Sequence, residues 1–404
     1  MKEQGSKTYG REYMDNVIVI GAVADNPVVE DVAHHLRQQE DYSDLVSLKS
    51  FLNTEFCPRF IIDEENWDNI GYKLKDKTVL LVSTNQGWNT RDELAMRNFL
   101  IARAAKDNGA AKVILLEPNL FYSAQDRGPR REQGCTDIER SIKDYKKFDG
   151  QPFSSRAYAD LLRTAGVDEV ITVHNHSISV ERIFNDRFST CFHDLQPADL
   201  FASYMQNSDV VSEDSLVLCA PDKGALSFVR RVKAEMDRDD IPLVYMNKER
   251  SDERKVEIRI SPDSDIGIDQ IKGKHVAIID DMVRTGNTIM ETCKILKEAG
   301  AERLVFFVTH FYSSRECRVN LNDKVLDEIV TTTTIPDILN RDIQGRLRHK
   351  MVVLQISRWM CNYVLDIIGL PEHKLSPPLY TEDMSSKNPR WRGSVGPLFS
   401  SVKL

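Results

Sequence analysis

The chain has 404 residues, room for two or three domains at roughly 150 residues each. Acidic side chains number 62 against 54 basic, a net charge of −8, which argues against a nucleic-acid partner that would need a concentrated basic face. At 41% hydrophobic and 29% charged the composition is globular, with no apolar run near the roughly 18 residues of a membrane span.

In chain order, short apolar runs bounded by turn residues predict strands over 17–20, 78–82, 112–116, 170–173, 215–219, 242–245, 275–279, 304–308, 328–331 and 351–356. Several are apolar throughout, as strands covered on both faces are. Helical periodicity between them, over 93–105, 156–164, 226–236 and 288–299, predicts a parallel, doubly wound α/β sheet. So many strands exceed one core, so two α/β domains are expected, 14–166 and 167–370. Residues 127–155 are polar and Gly/Pro-marked, a long mobile loop by this reading, and 371–404 reads as a proline-containing tail. The charged start Met1-Lys-Glu-Gln-Gly-Ser6 has no apolar stretch behind it, so a cytoplasmic protein without a secretory leader is expected. The cysteines (57, 135, 191, 219, 293, 317, 361) show no metal-ligand spacing and read as reduced thiols.

The most informative stretch is His275-Val-Ala-Ile-Ile-Asp280-Asp281-Met-Val-Arg284-Thr285-Gly286-Asn287-Thr288. A buried strand ends in two carboxylates, and a Thr-Gly-x-Thr loop opens a helix. Glycine permits the tight turn, and loop amides with the helix N-terminus can cradle a phosphate. The adjacent acids can accept hydrogen bonds from vicinal sugar hydroxyls, so together they describe a site for ribose 5-phosphate. An acidic strand end with a threonine cap is the plainer reading of Asp280-Asp281 alone.

This run resembles the phosphoribosyl-diphosphate motif shared by type I phosphoribosyltransferases and ribose-phosphate diphosphokinases. Further segments, in order along the chain, are similar to the diphosphokinases. They are Phe51-Leu-Asn53-Thr-Glu55, Phe121-Tyr-Ser-Ala-Gln125-Asp126-Arg127, Ile171-Thr-Val-His-Asn-His176-Ser, Pro221-Asp222-Lys-Gly224, Asn247-Lys248-Glu-Arg250, Thr309-His310 and Thr334-Ile335-Pro336. The resemblance implies two domains of the type I phosphoribosyltransferase-like fold. It implies an enzyme moving the β,γ-diphosphate of ATP to the 1-hydroxyl of ribose 5-phosphate with Mg²⁺, and assembly into dimers or hexamers.

It also implies roles. Phe51, Asn53 and Glu55 would sit at the adenine bound by a neighbouring subunit, with Gln125, Asp126 and His176 also on the ATP side. His176 and Asp222 would serve Mg²⁺. Asp280, Asp281, Arg284, Thr285, Gly286, Asn287 and Thr288 would hold the ribose phosphate. Lys248 and Arg250, with Arg127 and the neighbouring Arg130 and Arg131, would clamp the moving diphosphate.

The chain departs from that pattern at Arg284 (usually an acid), at Gly286-Asn287 (the loop glycine displaced), at Ala124 (usually Arg), at His174 (usually Asp) and in the length of 127–155. Another ribose-phosphate acceptor, another nucleotide donor, or a catalytically weak regulatory subunit therefore stand as alternatives.

Overall fold

A computed structural model of the chain describes residues 16–85, 89–135, 139–252 and 255–383; the side chains of 213, 248–258 and 341 lie outside the described residues. The chain divides into two compact units. Unit 1 holds residues up to Leu195 with Thr334–Pro336 and Ser357–Pro377, and unit 2 holds Gln196–Thr333, Asp337–Ile356 and the segment from Pro378.

In unit 1, strands β1 (Val17–Gly21), β4 (Thr78–Val82), β5 (Lys112–Leu116), β6 (Glu169–Val173) and β7 (Phe192–Leu195) form one parallel sheet, with β2 (Val46–Ser50) and β3 (Phe56–Phe60) as a separate antiparallel hairpin. The sheet order is β1-β4-β5-β6-β7, without a reversal. Its sequences (VIVIG, TVLLV, KVILL, EVITV) are buried over almost every position, which is why they read as continuous apolar runs rather than alternating ones.

Apart from one-turn pieces, the helices of unit 1 are α1 (Pro27–His35), α2 (Arg91–Asp107), α3 (Ile142–Phe148), α4 (Ser154–Ala165), α5 (Ile178–Phe188) and, from its later segment, Ser357–Ile367. Helix α2 opens on a reciprocal capping box between Thr90 and Glu93.

Unit 2 carries an eight-stranded sheet in the order β10-β9-β8-β11-β12-β13-β14-β15. The strands are β8 (Leu216–Ala220), β9 (Leu243–Asp252), β10 (Lys255–Ile260), β11 (His275–Val283), β12 (Arg303–Phe311), β13 (Glu328–Thr332), β14 (Met351–Gln355) and β15 (Thr381–Asp383). Strands β9 and β10 form an antiparallel hairpin at one edge, β15 adds antiparallel to β14 at the other, and the rest are parallel. Its helices include α6 (Ala198–Asn207), α7 (Leu226–Glu235), α8 (Asn287–Glu298) and α9 (Arg315–Leu321). The chain runs from β8 outward to β9, then returns to place β11 on the other side of β8. That reversal is a topological switch point, where a crevice opens beyond the carboxyl ends of the two strands. Val217, Cys219, Val276, Ile278, Leu304 and Phe306 fill the core beneath it.

Three expectations differ from this outcome. The border between units falls after Leu195, not at 166, because β6 pairs to β5 and β7 to β6, so both belong to the first sheet. The stretch 127–155 is not a bare loop: Ser141 caps α3, and α4 begins at Ser154. The 371–404 tail contributes β15, while residues 384–404, like 1–15, lie outside the described residues.

Candidate active site

The sugar-phosphate motif lies at the switch point of unit 2. Strand β11 continues past its apolar half through Asp280, Asp281, Met282 and Val283, paired with β12 as far as Phe311. The Asp281 N–H donates to Asp280 Oδ1 (2.9 Å) and the Met282 N–H to Asp281 Oδ1 (2.7 Å), so each carboxylate turns back on the next amide. From the end of the neighbouring β8, Asp222 Oδ1 accepts from the N–H groups of Gly224 (2.9 Å) and Ala225 (3.3 Å).

Loss of hydration pushes the half-buried Asp280 carboxyl well above its ordinary range, and the nearby charges of Asp281 and Asp222 push it further. Asp280, with the charges of Asp281 and Asp222 beside it, is an oxygen donor set that suits a hard cation, which fits Mg²⁺. Among the described residues no group of three or more His, Cys, Asp or Glu side chains is by itself spaced to enclose a metal. Any cation here would complete its shell with substrate oxygens and water. His176 belongs to unit 1 and Asp222 to unit 2.

After β11 the chain turns through Arg284, Thr285 and Gly286 into α8. Gly286 is left-handed (φ 78°) and caps the helix without a side chain, so α8 begins with Asn287 and Thr288 in its first turn. First-turn N–H groups lack intrahelical partners and, with the helix dipole, form an anion site. The turn is clasped by α9 and the residue preceding it. Asn320 Nδ2 donates to Thr285 O and Asn287 Oδ1 (both 2.8 Å), Asn287 Nδ2 to Glu316 Oε1 (3.2 Å), and Ser314 Oγ to Arg284 O (2.8 Å). None of these clasping residues was flagged by sequence reasoning; the spacing of Ser314, Glu316 and Asn320 on the far side of β12 carries no motif. Arg284 is exposed, with its guanidinium 3.2 Å from Met282 Sδ.

Lys248 and Arg250 fall within β9, opposite Ile258 and Val256 of β10 in the edge hairpin, and their side chains lie outside the described residues.

The nucleotide-side residues belong to unit 1. Phe51, Asn53 and Glu55 occupy the tip of the β2–β3 hairpin, closed by Phe51 N–H to Glu55 O (2.8 Å) and Asn53 Nδ2 to Glu55 Oε2 (2.8 Å). Phe51 is 50% exposed and Leu52 fully so, an apolar tip turned to solvent. The Arg97 guanidinium of α2 lies 4.5 Å from the Phe56 ring centroid at the hairpin's base.

Gln125 is exposed, in a turn after β5, and the exposed Ala124 precedes it. Asp126 is buried; its carboxylate accepts from Ser177 Oγ (2.5 Å), and its carbonyl from Ser179 Oγ (2.7 Å). It therefore braces α5 in this structure. Arg127 is likewise engaged, 3.3 Å from Asp144 and over the Phe148 ring (5.0 Å) of α3, rather than extended as a clamp. Arg130 and Arg131 are exposed.

Arg140, nearly buried, donates to Asp144 (2.7 Å) and to the carbonyls of Gly128 (2.8 Å) and Gln133 (2.8 Å), which ties these three residues to one side chain. Beyond β6, His174 is buried in a left-handed conformation (φ 47°), its N–H donating to Leu195 O, while His176 is exposed. Asn175 holds that turn through Asp194, with bonds of 2.9 and 2.5 Å.

The phosphoribosyl transferase domain family matches residues 197–338, which contain β8, β11 and the α8 cradle. Ribose-phosphate pyrophosphokinase 4 of Saccharomyces cerevisiae is 26% identical over 285 residues, 70% of this chain and 77% of that one. The ribose-phosphate pyrophosphokinase of Methanobrevibacter smithii is 29% identical over 299 residues, 72% of this chain and 85% of its own. In fold, the crystal structure of phosphoribosylpyrophosphate synthetase from Mycobacterium smegmatis superposes with a TM-score of 0.67 at 21% identity, covering 87% of this chain and 98% of that one. The chain is thus similar in sequence to ribose-phosphate pyrophosphokinases over about 70% of its length, matches the phosphoribosyl transferase domain family over 197–338, and shares its fold with a phosphoribosylpyrophosphate synthetase.

Proposed function

We propose that the protein transfers the β,γ-diphosphate of ATP to the 1-hydroxyl of ribose 5-phosphate, giving 5-phosphoribosyl 1-diphosphate and AMP, with Mg²⁺ required. The observation that carries this reading is the switch-point cradle, in which two strand-end carboxylates precede a left-handed Gly286 and a helix start with no side-chain cap. The 5-phosphate is held by the amides at the start of α8 with Thr285 and Thr288, and the sugar hydroxyls by Asp280 and Asp281.

The 1-hydroxyl oxygen bonds to the β-phosphorus while the bond from that phosphorus to the α,β-bridging oxygen breaks. AMP leaves with the bridging oxygen, and the hydroxyl proton passes to solvent. Such a transfer needs positioning and charge neutralisation rather than a covalent intermediate. Asp222 and the Asp280–Asp281 pair would hold Mg²⁺, which would supply charge neutralisation of the polyphosphate, and His176 serves the nucleotide. Lys248 and Arg250 stabilise the charge on the moving diphosphate, and Arg127 serves the polyphosphate of the nucleotide. Gln125, Asp126 and the hairpin tip (Phe51, Asn53, Glu55) serve the nucleotide, the tip reaching a neighbouring subunit of a dimer or hexamer.

A second reading, a more highly charged ribose-phosphate acceptor or a different nucleotide donor, is favoured by Arg284, a cation exposed beside the phosphate loop. AMP release measured with ATP, Mg²⁺ and each of several sugar phosphates decides between them. Ribose 5-phosphate should be preferred; preference for a bisphosphorylated sugar supports the second reading, and AMP release indifferent to every sugar sinks both.

A further inference from the structure

Behind the nucleotide segment of unit 1 lies a fully buried carboxylic acid that none of the roles above uses. Glu117 follows β5 directly and has no exposed surface. Its Oε2 accepts from the Phe121 N–H (2.9 Å), and its Oε1 from Tyr158 Oη of α4 (2.8 Å) and Asn98 Nδ2 of α2 (3.1 Å). Asn98 Nδ2 also reaches Tyr158 Oη (3.3 Å), so the three side chains close a ring. A buried acid costs several kcal/mol unless it is satisfied, so a group placed here and bonded on both oxygens has a defined structural task.

That task can be followed along the chain. The Phe121 ring is fully buried, 6.2 Å from the Tyr158 ring centroid and under the Arg91 guanidinium (5.4 Å). The next residue, Tyr122, is left-handed (φ 58°), an uncommon state for an aromatic residue that its surroundings must hold. Its carbonyl accepts from Ser155 Oγ (2.5 Å) and from the Gln125 N–H (2.9 Å), and the Ser155 N–H returns to Gln125 O (3.3 Å). The turn that exposes Ala124 and Gln125 follows directly on Phe121, whose N–H is held by Glu117, while Tyr122 Oη donates to Asp92 (2.6 Å) on its other side.

We propose that Glu117 is a positioning residue for nucleotide binding: through the Phe121 N–H it holds the turn that presents Gln125, with Asn98 and Tyr158 as its supports. This rests on the reading of 121–127 as the nucleotide segment. Burial pushes the Glu117 carboxyl up to about 8, against weaker pulls from the Phe121 N–H, Tyr158, Arg91 and Asn98. At neutral pH it is therefore largely protonated, and its proton needs an acceptor. Asn98 Oδ1, buried and without a hydrogen-bond partner, becomes that acceptor when the amide turns over. A glutamine at 117 can keep its Oε1 on the Phe121 N–H while its Nε2 donates to the turned-over Asn98 Oδ1 and to Tyr158 Oη, whereas alanine leaves the Phe121 N–H without an acceptor.

The test uses Glu117→Ala, Glu117→Gln and Tyr158→Phe in the full chain, read by hydrogen exchange over 119–127 and by steady-state kinetics. Glu117→Ala should speed exchange over 119–127 about tenfold or more, the loss of one buried acceptor. It should raise the KM for ATP by about tenfold, with kcat and the KM for ribose 5-phosphate within about twofold of wild type. Glu117→Gln should restore both, and Tyr158→Phe should fall between.

An unchanged KM for ATP in Glu117→Ala, or Glu117→Gln behaving like alanine, overturns the proposal. If Glu117→Ala does not fold, Glu117→Gln and Tyr158→Phe decide: the proposal stands only if the first matches wild type and the second raises the KM for ATP alone. Should wild type release no AMP, the proposed reaction fails. The exchange arm, repeated with ATP as the added ligand, then judges Glu117 separately: protection of 119–127 by ATP in wild type but not in Glu117→Ala supports it, and no difference refutes it.

Discussion

Replacing Gly286 with alanine tests the cradle at its tightest point. Gly286 has φ 78°, a left-handed conformation that costs an L-residue about 1–2 kcal/mol. A Cβ there would stand 3.0 Å from both Cδ2 and Cγ of Leu321, a fully buried core residue of α9 that cannot swing aside. Crowding of this kind adds roughly 1–3 kcal/mol. The total, about 2–5 kcal/mol, falls on a turn whose carbonyl at Thr285 is fastened to Asn320, so the loop itself must shift. Each 1.4 kcal/mol of lost phosphate binding is about tenfold in affinity.

Gly286→Ala should therefore lower the urea midpoint of unit 2 and raise the KM for ribose 5-phosphate by about tenfold or more, leaving the KM for ATP within about twofold. Adding Leu321→Ala removes the crowding but not the backbone strain. The double mutant should accordingly recover about 1 kcal/mol relative to the sum of the single changes. A Gly286→Ala protein with wild-type stability and wild-type KM for the sugar phosphate would refute the account of the turn.

The remaining expectations are shorter. Asp281→Asn should raise the KM for ribose 5-phosphate, while Lys248→Ala should chiefly lower kcat; a Lys248→Ala rate within a few-fold of wild type removes that residue from the transfer. Because the folded Glu117 carboxyl titrates near 8 against 4.5 unperturbed, its contribution to stability is complete below 4.5 and lost as pH rises through 8. That loss is at most about 5 kcal/mol. Melting temperatures from pH 5 to 9 should thus fall for wild type relative to Glu117→Gln, and parallel curves would deny the shift. Arg140→Ala leaves buried carbonyls and Asp144 short of a donor, and trypsin should cut within 127–148 faster by limited proteolysis than in wild type.

How far the sequence announced this molecule depends on what each segment buries. Strands such as Thr78–Val82 and Lys112–Leu116, covered on both faces, were legible as apolar runs, and α2 as a periodic helix over 93–105. The β2–β3 hairpin escaped because its strands are half exposed and mix Lys49, Cys57, Pro58 and Arg59 with few apolar residues. Strand β7, Phe-His-Asp-Leu at a sheet edge, has too little apolar character to signal itself, and its omission misplaced the border between units.

At the site, the Asp280–Thr288 run was readable because chemistry and backbone geometry coincide there. Its clasp by Ser314, Glu316 and Asn320 was not, since those contacts join residues about thirty positions apart. The contacts that join Gly128, Gln133 and Asp144 through the nearly buried Arg140 also escaped, because its partners are mostly backbone carbonyls that no side-chain pattern reveals.

The most direct measurement follows the oxygen that forms the new bond. Ribose 5-phosphate labelled with ¹⁸O at its 1-hydroxyl is incubated with ATP, Mg²⁺ and the protein, and the products are read by phosphorus NMR. Attack of that hydroxyl on the β-phosphorus predicts AMP without label and a sugar diphosphate with ¹⁸O bridging C1 to phosphorus, seen as an isotope shift on the phosphorus bonded to it. Release of ADP, label in AMP, or a sugar diphosphate lacking the bridge label would contradict it.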